Sequence, residues 1–189
     1  MEITERELWL LNFYRNSELH GALLMGKLAR NFSDTRLLVN LTKHCATEAH
    51  HAALLTETIA ALGASLNPHT ETIQNHYASE GGLPKELVDL LVLSETLEKR
   101  VLTSYRAHLA GRDVHPQVRS TLTQIVREMQ EEEDGQHAGW IEQTLLQQPR
   151  ERVEAAEAKW RAVDERVAAA LERVVAHKFP AERLVDEIH

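Results

Sequence analysis

The sequence predicts an all-α protein: four long helices with one long crossover between the second and third, followed by a C-terminal fifth helix. Three observations carry this expectation. Apolar residues recur at steps of three and four along most of the chain, and no stretch alternates apolar and polar as a half-buried strand would. Eight glycines and five prolines are few for 189 residues, and they fall at a handful of boundaries. The connections between the first four helices run short, long, short. That is the wiring of a bundle with one crossover rather than of an up-down-up-down bundle.

The first periodic run spans about Thr4 to Asn31, with Leu8, Leu11, Tyr14, Ala22, Met25 and Leu28 on one stripe. Asn31-Phe32-Ser33-Asp34 is a short break, and Ser33 or Asp34 suits the N-cap of a second helix that runs to Leu62. Gly63 fits its C-terminal stop. Gly63 to Leu83 contains Asn67-Pro68 and Gly81-Gly82 and reads as the crossover, with a short helical piece around Thr72 to Tyr77. A third helix is expected from Pro84, a first-turn position, to Ala110, stopping at Gly111. Arg112 to His115 links it to a fourth helix from Pro116 to near Pro149. The fifth helix, Arg150 to Lys178, carries Val153, Ala156, Trp160, Val163, Val167, Ala170 and Val174 at alternating steps of three and four, a heptad spacing. Phe179 to His189 is expected to be peripheral. Residues 1–149 are thus read as the bundle and 150–189 as a helical extension.

Composition removes several function classes. One cysteine, Cys45, cannot form a disulfide within the chain or build a cysteine-rich zinc or iron–sulfur site. No run of 18 apolar residues predicts a membrane span, and the charged start Met1-Glu2-Ile3-Thr4-Glu5-Arg6-Glu7 does not read as a signal peptide, so cytoplasm is the expected compartment. A net charge of −8 argues against nucleic acid as the main partner. Eleven histidines beside 29 acidic residues remain to be explained.

Acids inside apolar stripes single themselves out. The second helix presents Leu37, Leu41, Cys45, Glu48, Ala52, Leu55 and Ile59 on one face, with His51 one turn beyond Glu48. A buried, unpaired carboxylate is very costly, so Glu48 must lie near the surface, be paired or bind metal. Carboxylate and imidazole at i and i+3 project to one point. Asp134 and His137 repeat that spacing on the fourth helix, and Glu133 with His137 at i, i+4 competes with it. Glu131-Glu132-Glu133-Asp134 is also an acidic run, and such runs usually face water. Glu18 lies on the stripe of the first helix; Glu98 lies on that of the third, with Glu95 one turn earlier. Glu18, Glu48, Glu98 and Asp134 each stand 13–18 residues from both ends of their own helix. If the helices are level, these acids meet at one height, ~20 Å from either end. Carboxylate oxygens with imidazole nitrogens suit iron or manganese, and also zinc. Without metal, such acids would raise one another's pKa.

On these residues, over about 4 to 148, the sequence resembles the ferritin-like superfamily of di-iron carboxylate proteins, the rubrerythrin and bacterioferritin branch especially. That family has a Glu on helix 1, Glu-x-x-His on helix 2, a Glu on helix 3 and Glu-x-x-His on helix 4. Glu18, Glu48, His51, Glu98 and His137 match in type, and Asp134 matches in position as a shorter acid. Tyr105, seven residues after Glu98, matches the Glu-x6-Tyr of that branch, whereas Met25 stands where the first helix would carry its Tyr. The resemblance implies two iron ions, with manganese or a mixed pair as the variant. Glu18 and Glu98 would be terminal ligands, Glu48 and Asp134 bridges, and His51 and His137 would fix the two positions, with Glu95 as a further carboxylate. A single cysteine excludes the rubredoxin iron of rubrerythrins. Ala49, where bacterioferritins have a haem-binding Met, speaks against haem.

The activity implied is oxidation by dioxygen or peroxide acting on a small-molecule substrate, in a protein expected to form a homodimer. The alternatives are a ferroxidase or iron-handling protein with ferrous iron as substrate, and a metal-free helical interaction module. His44 is open between a supporting role beside Glu48 and partial exposure. His50 is expected on the helix flank, and His20, His69, His76, His108, His115, His177 and His189 at the surface. Tyr105 is either a ligand partner or a core aromatic. Met25 and Trp140 are expected to pack.

Overall fold

The computed structural model describes residues 2–67, 71–134 and 139–180, without the side chains of 132–134. Among them the chain is all helix: α1 (Glu5–Ala29), α2 (Thr35–Ala61), α3 (Ile73–Gly81), α4 (Leu87–Ala110), α5 (Pro116–Asp134), α6 (Gly139–Leu145) and α7 (Arg150–Lys178). Side-chain oxygens start three of them. Thr4 accepts from the Glu7 N–H, Asp34 from Leu37 and Thr72 from Asn75, each satisfying a donor that has no partner within the helix. Gly63, after α2, takes φ +65°, the left-handed conformation that closes a helix at little cost only for glycine.

Two expectations need correction. The helix expected from Pro84 begins at Leu87, with Glu86 as an extended N-cap, so Pro84 lies in the preceding connection. Gly81 ends α3 rather than lying in a loop, because the Trp160 ring packs where its Cβ would be; a Cβ there would come within 2.6 Å of that ring. Of the helix expected over 116–149, the parts on either side of residues 135–138, which lie outside the described residues, are helical as α5 and α6.

Contacts fix the helix directions. Ala22 meets Cys45, Gly21 approaches Glu48 and Glu18 meets His51, so α1 and α2 are antiparallel. Tyr105 meets Glu18 and His108 meets Glu7, so α4 is antiparallel to α1 and therefore parallel to α2. Two neighbouring parallel helices need a connection as long as the molecule, and residues 62–86 with α3 supply it. Thr58 bonds Thr121 and His51 approaches Glu128, so α5 is antiparallel to α2. Leu11, Leu41, Leu55, Ile59, Leu91, Val118, Leu122 and Ile125, all nearly inaccessible, fill the space between these helices.

The heptad stripe of α7 is buried within this chain, against α3 and α4: Ala156, Trp160, Val163 and Val167 lose almost all solvent contact. Asp164 ties it down, accepting from Nε and Nη2 of the Arg100 guanidinium (2.8 and 2.5 Å) and from the Tyr77 hydroxyl. Beyond α7, Phe179 sets its ring edge-on to Trp9, so the expected peripheral tail starts with a packed residue. His108 is likewise not a surface residue. It lies 3.4 Å from the buried Glu7 carboxylate and beside Tyr14, and burial holds its pKa below the usual histidine value. Among the described residues, no helix is long and apolar enough to cross a membrane.

Candidate metal centre

Halfway along α1, α2 and α4, acids and imidazoles turn inward. Glu18 and His51 are almost fully buried, and Glu48 is mostly so. His44 Nε2 lies 3.4 Å from Glu48 and 3.1 Å from Glu98, bridging carboxylates of two helices. One ligand atom from each of His44, Glu48 and Glu98 falls within 4.8 Å of the others, the only such group among the described residues. On the other side of Glu48, His51 Nδ1 is 3.6 Å from Glu18 and its Nε2 is 3.4 Å from Glu128 on α5. The Tyr105 hydroxyl donates to Glu18 from within the core and fixes its carboxylate. Glu18, His44, Glu48, His51 and Glu98 line a cavity of about 40 Å³, walled on its apolar side by Leu24, Met25, Leu97, Val101 and Met129. At roughly 10–15 Å³ per water, it has room for about three or four water-sized occupants.

The electrostatics match crowded acids without a cation. Burial, then the charge of Glu18, pushes the Glu48 carboxyl up to about 8, against the opposing hydrogen bond from His44. Burial alone would lower His44, but its bonds to Glu48 and Glu98 overcome this and raise it well above the usual value. Burial would raise Glu98; the hydrogen bond and charge of His44 outweigh it and lower its pKa. His51 is raised by Glu18 despite burial.

The donors present fit a metal ion. They are carboxylates and imidazoles, the set hard and borderline cations favour. The His51 Nε2 is buried without a hydrogen-bond partner among the described residues, although a carboxylate lies near it. Gly21 forms a cradle on α1, where a Cβ would come within 2.3 Å of the Glu48 carboxylate. Gly21→Ala should therefore push Glu48 aside. We expect metal affinity to fall at least about 10-fold, as when ligand-orienting groups are lost. The thermal midpoint should hardly change, because Ala gains ~1 kcal/mol over Gly inside a helix. Metal titration and thermal unfolding of the same preparation check this. Unchanged affinity would mean that Glu48 needs no particular position.

Of the residues expected as ligands, Glu18, Glu48, His51 and Glu98 all line this cavity. Glu95 does not: it is half-exposed and bonded to Lys99 at 2.6 Å. Asp134, Glu133 and His137 fall outside the described side chains. Sequence reasoning missed Glu128. It lies at the edge of the buried stripe of Leu122, Ile125 and Met129, where a lone acid reads as an ordinary flank charge. His44 did have a signal: it precedes Glu48 by four residues and His51 by seven, on one face.

No family model matches this chain, and neither a curated protein nor a solved structure matches it.

Proposed function

We propose that this chain is a ferritin-like four-helix bundle, built from α1, α2, α4 and α5, that holds a dinuclear metal centre of the iron or manganese type. Its activity is oxidation with dioxygen or peroxide as oxidant. One observation carries the reading: carboxylates and imidazoles from α1, α2 and α4 converge on one small internal cavity at mid-height, and Glu128 of α5 approaches His51 beside it. Surface charges would have no reason to converge there. Parallel α2 and α4, joined by a long crossover, support the bundle topology.

His44, Glu48 and Glu98 would hold one ion, and Glu18, His51 and Glu128 the other, with Glu48 between them. Bound there, the ions would supply electrons to the oxidant and polarise it as Lewis acids. The chain's own groups do the rest. Glu48, with its raised pKa, releases a proton when a cation arrives. Tyr105 holds Glu18 in place by its hydroxyl. Leu24, Met25, Leu97, Val101 and Met129 limit water at the centre. Asp134, Glu133 and His137 remain further donors from α5 and the segment after it.

Metal analysis after anaerobic loading with ferrous iron tests this. Close to two ions per chain are expected, oxidised rapidly when air or peroxide is admitted. Fewer than about one per chain would leave only the metal-free helical module. Glu128→Ala and His137→Ala, each compared with wild type, decide which residue completes the second position. Air oxidation of many irons per chain into a retained mineral core would replace the oxidase reading with iron storage.

A further inference from the structure

A second, larger cavity of about 1140 Å³ lies between α2, α4, α6 and α7, on the outer side of the same groups. His44, Thr47, Glu98 and Met129 line both it and the inner cavity, so the two share a wall. More of its accessible wall is apolar than polar: Trp140 and Leu145 are buried along it, Val153 is partly buried and Leu146 is 77% exposed, between polar groups that include Asn40, Glu142 and Glu157. Of its three cations, Lys99 is satisfied by Glu95 and Arg150 by Glu154, both at 2.6 Å, which leaves the exposed Lys43 as a single charge. The walls therefore offer area to an apolar body and no cationic cluster to select a polyanion. A ferrous ion needs no groove of this size, whereas clefts that take organic molecules are apolar, concave and of this scale.

We propose that this groove binds an uncharged, mainly apolar organic molecule, with one end against His44 and Glu98. That this molecule is the substrate rests on the metal-centre reading; its binding does not. His44 and Glu98 then face the ligand on one side and the inner cavity on the other. Trp140 and Leu145 hold its body, and its far end emerges near Leu146.

The test titrates 1-decanol into the full-length chain, first stripped of metal by chelation and then loaded. Calorimetry reports binding, and Ala46→Trp fills the groove from an exposed lining position. Decanol should bind the metal-free wild type at micromolar concentration, and Ala46→Trp should weaken it at least 10-fold without moving the thermal midpoint. In protein loaded with a paramagnetic divalent ion, one end of the bound decanol should show the stronger proton relaxation. Absent or millimolar binding, or equal binding by wild type and Ala46→Trp, would overturn the groove proposal even if two metal ions load. Binding that Ala46→Trp blocks in a chain that takes up no metal would keep the groove and remove the centre. Uniform relaxation along the bound decanol would overturn the placement of its end.

Discussion

Glu48→Gln is expected to abolish tight metal retention and, in the same protein, to stabilise the metal-free fold at pH 8. The first effect follows from position: Glu48 stands between both donor groups, so its loss should weaken binding by about 100-fold or more, beyond what loss of a merely orienting group does. The second follows from proton linkage. The Glu48 pKa rises from an ordinary carboxylate value to about 8 in the fold. Between these values the folded chain holds a proton that the unfolded chain has released. Stability is thus full below the unfolded pKa and is lost as pH rises through the folded one. The raised His44 and His51 act in the same direction, since each holds its proton more tightly when folded. Glu98, lowered, acts only at more acid pH, and His108, lowered, opposes the trend equally in both proteins. The chelator-treated wild type should therefore lose on the order of 3 kcal/mol between pH 5.5 and 8.5. Gln carries no charge in either state and should remove most of that slope. Denaturant unfolding at the two pH values measures the difference. Equal slopes in wild type and Glu48→Gln would show that Glu48 is not the buried acid argued for here.

The site was legible where its chemistry interrupted a pattern. An acid in the apolar stripe of α2 is visible because the stripe defines an inside, and Glu48 with His51 therefore emerged from sequence. Glu18 and Glu98 emerged because helix lengths put them level with Glu48. Glu128 escaped because a lone acid beside a buried stripe looks like any helix-flank charge; only the approach of α2, which brings His51 within 3.4 Å, distinguishes it. The groove was not legible at all. Its walls come from α2, α4, α6 and α7, and no single helix's periodicity encodes a space between four of them. Helix bounds followed the same logic. Asp34 and Gly63 act through local geometry and were readable, whereas the start of α4 depends on where Val88 meets the core. The heptad of α7 was readable as a packing face, but whether its partner was this chain or another copy was not.

Trp160→Ala should have the largest effect on stability while leaving the metal centre in place. Trp160 is fully inaccessible on α7; its indole N–H donates to Asp89 at 3.1 Å and its ring fills the space that Gly81 leaves on α3. Truncation removes that ring from the seam of three helices, at a cost of about 3–5 kcal/mol. For a chain of this size that is a fall of about 10 °C in thermal midpoint. The proposed metal ligands come from α1, α2, α4 and α5, and α4 is still held to α1 through Tyr105 and Glu18. Below the lowered midpoint, Trp160→Ala should therefore load the same number of ions as wild type. The groove should respond differently, because Val153 and Glu157 of α7 form part of its wall. Decanol affinity should fall in Trp160→Ala while metal stoichiometry holds. A loss below 1 kcal/mol would mean that α7 docks without its central residue. A loss of metal together with stability would mean that α7, through Asp164 and Arg100, holds α4 in the register the centre needs.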